Sequence, residues 1–275
     1  MTYKTILVHV DDSPDAAVRI TLAARLALRH DAHLVGIALT GVSRLFYQEG
    51  SAALVRSALA PYMDDLYRRS ERRLAGFTRL AEEAGVASHE ARLVDDEAGA
   101  GLALSARYAD LVVLGQQARA TAAPPGGALA PYLVLACPRP VLLLPHARPE
   151  PGPRFGARVV VAWNGSAEAM RAASAALPLL READSVTLAS FGAPGAPDAE
   201  PALAGWLERH GIAAGFVRES AHLDVGARLL ALLAEREAGL LVMGGYGHTR
   251  LSELVLGGVT RTVLAGMRIP VLLAH

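Results

Sequence analysis

Short apolar runs alternate along the chain with longer segments in which apolar residues recur at the helical period. The apolar runs predict strands at 4–10, 32–39, 88–94, 110–114, 140–144, 158–162, 185–190, 213–218, 239–243 and 270–274. The periodic segments predict helices at 14–30, 62–84, 98–107, 127–136, 167–182, 199–210, 224–237 and 258–266. Uninterrupted apolar strands that alternate with helices are typical of a parallel sheet covered on both faces. The predicted fold class is therefore α/β, with a five-stranded parallel sheet in each half.

The two halves of the chain repeat each other. KTILVHVDDSPDA (4–16) matches ARVVVAWNGSAEA (157–169) as an apolar strand, a polar turn and the start of an alanine-rich helix. Residues 108–115 match 238–245, and each half ends on a proline-led apolar strand. The segment 146–156 is rich in Pro and Gly and has no periodicity, which is typical of a linker. The predicted domains are 1–146 and 157–275, with a linker at 147–156.

Two local features complete the predicted layout. Ser13 and Ser166 follow the first strand of each half, and serine is a good N-cap, so each is predicted to cap the following helix. Residues 41–61 have no counterpart in the second half. They are interpreted as a surface excursion, with a lid over a neighbouring site as the alternative.

Composition excludes several function classes. The 27 basic and 27 acidic residues balance, so no overall field favours nucleic acid or an anionic membrane. Lys4 is the only lysine, which excludes a Walker A loop and argues against Schiff-base or pyridoxal phosphate chemistry. One cysteine excludes an intrachain disulfide. With no recognisable signal peptide or membrane span, the predicted location is cytoplasmic.

A glycine-rich passage in the second half carries the candidate chemistry. Gly244 and Gly247 follow an apolar strand, and Gly257-Gly258 opens the next predicted helix. Glycine lets a backbone approach a ligand closely or adopt left-handed angles, and free amides at a helix start attract anions. The side chains of Thr260, His248 and Arg250 could add donors. The passage therefore predicts a phosphate-binding loop, with simple loop punctuation as the alternative.

This arrangement resembles the universal stress protein family. Its ATP-binding members carry G-x2-G, nine residues, then G-(S/T), and here Gly244-x2-Gly247-x9-Gly257 has the same spacing. Trp163-Asn164-Gly165-Ser166 resembles the family's DGS turn, and Asp11-Asp12-Ser13 is its first-half version. The resemblance covers nearly the whole chain and implies two tandem Rossmann-like domains. It also implies that strands 140–144 and 270–274 pair to form an intramolecular pseudo-dimer; whether pseudo-dimers assemble further into a homodimer is left open.

The resemblance implies a nucleotide site in the second half. Its predicted residues are Ala162, Trp163, Asn164, Met243, Gly244, Gly247, His248, Arg250, Gly257, Gly258, Val259 and Thr260. Two departures affect it: Gly258 lacks the usual hydroxyl, and Asn164 replaces the usual Asp, losing its charge but keeping an acceptor for ribose. The first half lacks the second glycine and the spacing, so it is interpreted as a degenerate copy.

The expected function is binding of ATP or a related adenine nucleotide, with or without Mg²⁺, in a regulatory or protective stress response. No catalytic or metal-binding residue is assigned. One alternative is an enzyme, at most a slow ATP hydrolase, although no lysine and no evident general base lie near the loop. The other is a nucleotide-free interaction scaffold. Its protein partners are not predicted.

Overall fold

A computed structural model describes residues 2–43, 52–116, 129–146, 152–192, 200–220, 224–246 and 258–275. The chain forms two compact units, Thr2–Arg139 and Pro140–His275. The first unit contains β1 (Thr5–His9), β2 (His33–Leu39), β3 (His89–Val94), β4 (Leu111–Gly115), α1 (Ala16–His30), α2 (Ala52–Glu83), α3 (Ala98–Ser105) and α4 (Leu129–Ala136). Its strands run parallel in the order β3-β2-β1-β4.

The second unit repeats this plan and adds one strand. It contains β5 (Val141–Leu144), β6 (Arg158–Trp163), β7 (Ser185–Gly192), β8 (Ala214–Ser220), β9 (Leu240–Gly244), β10 (Val271–Ala274), α5 (Ala167–Leu180), α6 (Glu200–Arg209), α7 (Val225–Glu235) and α8 (Gly258–Gly266). Its strand order is β5-β10-β9-β6-β7-β8. All neighbours are parallel except β5 and β10. The predicted α/β class is confirmed.

The two proline-led strands pair with each other, as the resemblance implied. β5 and β10 are antiparallel, with Val271 opposite Leu143 and Leu272 opposite Leu142. All of these side chains are buried, because continuous apolar strands lose water on both faces of a covered sheet. By its contacts, β5 belongs to the second unit although it closes the first repeat in sequence.

The main difference from the predicted elements is the start of α2. The helix begins at Ala52 rather than near residue 62, so Pro61 lies inside it. Proline removes one backbone donor and crowds the preceding turn, which is why the sequence pattern placed the helix start after it. Much of the predicted surface excursion at 41–61 is therefore helix, and residues 44–51 lie outside the described part. No described helix is long and apolar enough to cross a membrane.

The two predicted serine caps behave differently. The Ser166 hydroxyl accepts a hydrogen bond from the Ala169 N–H at 3.2 Å, so its cap is confirmed. The prediction for Ser13 is wrong, because α1 begins three residues later and the Ser13 hydroxyl donates to Asp11 Oδ1 at 2.6 Å. A hydroxyl can donate and accept at once, so Ser13 fails to cap because the N-cap position of α1 is Asp15, two residues further on.

Helices α7 and α8 pack closely through a glycine. A Cβ on Gly226 would lie 2.6 Å from the Cβ of Thr262, whereas a Cβ on Gly258 would meet nothing within 4 Å. Because the first contact is with a branch point rather than a flexible tip, added bulk there must separate the helices.

We therefore predict different effects for two matched substitutions. Gly226→Ala lowers the melting temperature of the protein by several degrees, reflecting a steric cost of about 1–3 kcal/mol. Gly258→Ala leaves the melting temperature nearly unchanged, because the added Cβ meets nothing within 4 Å at the first residue of the helix. Thermal unfolding followed by circular dichroism measures both, and equal melting temperatures would contradict the packing described.

Candidate functional site

A pocket of about 240 Å³ lies in the second unit at the carboxyl ends of β6 and β9. The strand order reverses at β6, which has β9 on one side and β7 on the other. In open parallel sheets, ligands bind outside the carboxyl ends of the strands at such a point. The predicted residues that line the pocket are Ala162, Trp163, Asn164, Met243, Gly244, Gly258, Val259 and Thr260. The structure thus brings together three separate stretches of the predicted site.

The remaining predicted residues lie outside the described part of the chain. They are Gly247, His248, Arg250 and Gly257. Their placement in the site remains a prediction.

Six lining residues were missed by the sequence analysis: Ser166, Glu168, Phe191, Val225, Leu229 and Tyr246. Phe191 lies near the carboxyl end of β7, so the rule that ligands bind at strand ends could have found it. Val225 and Leu229 are four residues apart on α7, on the same helix face. Only the tertiary packing shows that this face borders the pocket.

The turn after β6 is held by an internal hydrogen bond. Asn164 Oδ1 accepts from the Ser166 N–H at 3.1 Å, and Gly165 has a φ of 76°, which glycine adopts without steric cost. This oxygen keeps a second lone pair, so the expectation that Asn164 offers an acceptor to a ligand stays a prediction. Its amide oxygen serves the turn, and its amide nitrogen remains as a donor.

Gly244 is required by packing against the protein itself. A Cβ there would lie 2.6 Å from the Ala169 backbone nitrogen and 2.9 Å from Glu168 Cβ, in the first turn of α5. The left-handed angle expected at Gly244 occurs instead at Tyr246, whose φ is 56°. The strand end therefore presses against α5, and the chain changes direction two residues later.

The start of α8 forms another wall of the pocket. The helix begins at Gly258, and the buried Thr260 hydroxyl accepts from the Tyr246 N–H at 3.4 Å. This bond ties the chain after β9 to the first turn of the helix. The first N–H groups of a helix have no partner within it, and the helix dipole makes this end attractive to anions.

Glu168 is the only carboxylate among the described lining residues. Its own backbone N–H holds its pKa below the ordinary value, so the carboxylate is ionised at neutral pH, and Oε1 lies 3.0 Å from Arg171 Nη2. Burial raises the pKa of Tyr246, which keeps its phenol neutral. Within the described residues, no three His, Cys, Asp or Glu side chains are grouped to hold a metal ion.

Trp163, one of the lining residues, carries a buried polar atom without a partner among the described residues. Its Nε1 is buried and makes no hydrogen bond within that part of the chain. An indole N–H can only donate, and leaving it unsatisfied away from water costs about 1–3 kcal/mol.

A family model described as the universal stress protein family matches residues 2–145 and 157–275. The chain belongs to this family. The two matches correspond to the two repeats, so the tandem organisation inferred from the sequence is confirmed. No curated protein matches the chain in sequence.

Solved structures of universal stress proteins share the fold over nearly the whole chain. A universal stress protein from Archaeoglobus fulgidus DSM 4304 has a TM-score of 0.74 at 17% identity, covering 98% of this chain and 95% of its own. A putative universal stress protein from Pseudomonas aeruginosa UCBPP-PA14 has a TM-score of 0.58 at 19% identity, covering 99% and 93%. A shorter one from Archaeoglobus fulgidus, solved in complex with dAMP, has a TM-score of 0.38 at 20% identity, covering 52% and 98%.

In the first universal stress repeat, an arginine occupies the place that corresponds to the pocket. Arg19 is 1% exposed, and its Nε donates to the carbonyl of His9, the last residue of β1, at 2.8 Å. A Cβ on Gly115, the last residue of β4, would collide with Arg19 Nη1. The guanidinium therefore lies at the carboxyl ends of β1 and β4. The aligned residue of the second repeat is Ala172, which is fully buried and has no side-chain atom beyond its methyl group to reach the strand ends.

The guanidinium is held by the first repeat's own strand-end turn. Arg19 Nη2 lies 2.6 Å from Asp11 Oδ1, and its Nη1 lies 3.4 Å from the Ser13 hydroxyl. Burial raises the pKa of Asp11, but the charges of Arg19 and His9 and hydrogen bonds to the carboxylate outweigh it and lower the pKa to about 2. The interpretation of the first half as a degenerate copy gains a physical basis, because the Arg19 guanidinium is the partner of the Asp11 carboxylate in this turn.

His9 is neutral in this cluster. It is 8% exposed, and burial is the main cause that lowers its pKa from 6.5 to about 4, although nearby Asp11 acts in the opposite direction. His9 Nδ1 and Asp11 Oδ2 lie 3.5 Å apart, but they do not form an ion pair near neutral pH because the imidazole is uncharged.

The His9 pKa predicts a loss of stability in mild acid. Between pH 6.5 and 4 the unfolded chain protonates His9 but the folded protein does not, so the unfolded state binds more protons. The stabilisation is complete above pH 6.5 and is lost as the pH falls to about 4, a change of about 3 kcal/mol. Asp11 adds a further loss only below its ordinary pKa, as the pH falls towards 2.

Urea unfolding of the protein and of His9→Gln, at pH 7 and pH 4.5, measures this contribution. We expect the unfolding midpoint of the natural protein to fall more between the two pH values than that of the variant. An equal fall in both proteins would show that His9 is not responsible.

Proposed function

We propose that the second unit of this universal stress protein binds one adenine nucleotide, ATP first among them, and that the bound nucleotide serves a regulatory or protective role. The observation that carries the proposal is the pocket at the carboxyl ends of β6 and β9, onto which the start of α8 opens. Eight of the residues that the family resemblance implied line this one pocket.

The α8 wall fits a phosphate group. Its N-terminal amides are free of partners within the helix, the dipole favours an anion there, and Gly258 has no side chain to block the approach. The Thr260 hydroxyl accepts from Tyr246 and keeps its own proton for a phosphate oxygen. With Lys4 the only lysine of the chain, backbone amides supply most of this recognition.

The opposite part of the lining fits a planar base. Trp163, Phe191 and Met243 offer aromatic and thioether surfaces, and Val225 and Leu229 add an aliphatic side. Apolar walls with a few placed polar groups are typical of small-ligand sites. A base that inserts here removes its own and the protein's apolar surface from water.

The same residues favour binding over turnover. Glu168 is the one carboxylate of the described lining, and its lowered pKa makes it a weak base. Mg²⁺ commonly arrives with the nucleotide phosphates and needs only one or two protein carboxylates, so Glu168 could hold it. ATP hydrolysis above the background of a non-binding variant would show that the protein is an enzyme rather than a binding protein.

A charge-matched pair of variants at Gly258 tests the phosphate wall. Gly258→Glu and Gly258→Gln add side chains of the same size where a Cβ meets nothing within 4 Å. We expect Gly258→Glu to weaken ATP binding at least about 10-fold, because its carboxylate repels the phosphates, and Gly258→Gln to weaken it much less. Calorimetry with ATP and Mg²⁺ measures the affinities, with unliganded melting temperatures as the control for folding.

The proposal is wrong if the natural protein shows neither heat of binding nor thermal stabilisation with millimolar ATP and Mg²⁺. A ligand at ten times its Kd stabilises the folded state by about 1.4 kcal/mol, which melting curves detect. Equal ATP affinity of the two Gly258 variants would show that the start of α8 does not contact the phosphates.

A further inference from the structure

A second and larger pocket of the second unit lies at the amino ends of its strands, opposite the candidate nucleotide site. Its volume is about 700 Å³, within the range of about 300–1,000 Å³ that is typical of small-ligand sites. It is lined by Arg158, the first residue of β6, and by Ala238 and Ile269, which lead into β9 and β10. The second half of α7 and the last residue of α8 complete it. A ligand in this pocket would not compete with a nucleotide for space, so this site is independent of the proposed function.

The walls of this pocket are aliphatic. The side chains of Leu233, Ala238 and Ile269 are buried, and those of Leu230 and Ala234 on α7 are partly open to solvent. No aromatic residue is among the described residues that line the pocket. Such walls suit an aliphatic chain, which gains free energy when it leaves water and needs no aromatic stacking partner.

One wall consists of linker residues that are fixed to the sheet. Gly152 and Pro153 line the pocket, and Arg154 follows them. A Cβ on Gly239 would lie 2.1 Å from the Arg154 carbonyl oxygen, and the same oxygen accepts from the Ala157 N–H at 3.2 Å. The linker therefore packs against the start of β9, and the pocket has its shape before a ligand enters.

The end of α7 is closed by its own backbone. The Ala238 N–H donates to the Leu233 carbonyl at 2.9 Å, and the Glu237 N–H donates to the Ala234 carbonyl at 3.0 Å. These two carbonyls would otherwise be among the unpaired acceptors at a helix end, which disfavour a nearby anion. Because both have donors, this wall needs no cationic ligand.

The charges of the pocket leave one cation without a partner. Arg158 Nη2 pairs with Glu237 Oε2, and Arg158 Nε donates to the Glu237 carbonyl at 3.1 Å, so these two charges compensate each other. Arg268 also lines the pocket, is exposed, and makes no hydrogen bond or ion pair within the described part of the chain. A guanidinium presents a fork of N–H donors that matches the two oxygens of a carboxylate.

We propose that this pocket binds a small aliphatic carboxylate. Its chain lies against the walls that Leu230, Leu233 and Ile269 form, and its carboxylate pairs with Arg268. A neutral chain would leave the guanidinium without a partner, and a carboxylate without a chain would leave the aliphatic walls in water. The pocket therefore requires both parts of the ligand.

Three probes separate the two parts. Octanoate carries the chain and the charge, 1-octanol carries a chain of the same length without the charge, and acetate carries the charge without the chain. In calorimetry on the full-length protein, we expect octanoate to bind at least about 10-fold more tightly than either of the others.

Three variants locate the binding. We expect Arg268→Gln to weaken octanoate binding at least about 10-fold and to leave 1-octanol binding nearly unchanged. Arg236→Gln is the matched control, because Arg236 is an exposed arginine just after α7 that does not line the pocket, and it should bind octanoate as the natural protein does. Ala234→Phe fills the pocket and should weaken both ligands. Unliganded melting temperatures show whether each variant is folded.

Each outcome decides the proposal. Equal affinity for octanoate and 1-octanol, or an Arg268→Gln variant that binds octanoate as the natural protein does, overturns the pairing of a carboxylate with Arg268. Absence of octanoate binding at millimolar concentration overturns the whole site, whereas ATP binding by the same protein is judged separately. Self-association in sedimentation that Ala234→Phe abolishes would show that a second copy of the chain occupies the pocket, and the proposal would be wrong.

Discussion

Each repeat depends on a glycine at the carboxyl end of its fourth strand, β4 or β9, because another atom lies where a Cβ would be. At Gly244 that atom belongs to the backbone of α5's first turn, and at Gly115 it belongs to the Arg19 guanidinium. The same constraint therefore has different consequences. In the second unit the strand end packs against a helix and a pocket remains beside it, whereas in the first unit a buried side chain takes the space.

The strand-end turns of the two units also differ, because one carries a charge and the other does not. The Asp11 carboxylate is paired with the Arg19 guanidinium, so its charge is compensated inside the first unit. Asn164 carries no charge, and its amide nitrogen makes no hydrogen bond within the described residues, so the second unit needs no internal cation at its turn. A buried charge without a partner is costly, which explains why the buried Arg19 occurs with Asp11, whereas Asn164 and Ala172 bring no charge to the second unit. The two repeats therefore differ in groups of interacting residues rather than in isolated substitutions.

Much of this arrangement could be predicted from the sequence, for identifiable reasons. Most of the strands are buried and form continuous apolar runs, and all ten described strands were predicted within two residues of their bounds. The start of α2 was not, because Pro61 imitates a helix boundary. Arg19 was missed because an arginine on a helix is usually solvated, and only its alignment with Ala172 suggests burial. The α7 wall depends on tertiary contacts that no local pattern contains. The bond from the Ser166 N–H to Asn164 Oδ1 is local, and an Asn two residues before the helix cap is typical of such a turn.

The central claim is that one repeat has an open ligand site and the other has closed its site with Arg19. The number of ATP molecules bound per chain, measured by calorimetry on the full-length protein at a known active concentration, tests it most directly. The account predicts one. A value of two would show that the Arg19 cluster does not close the first unit, and a value of zero would show that the pocket beside Gly244 is not a nucleotide site.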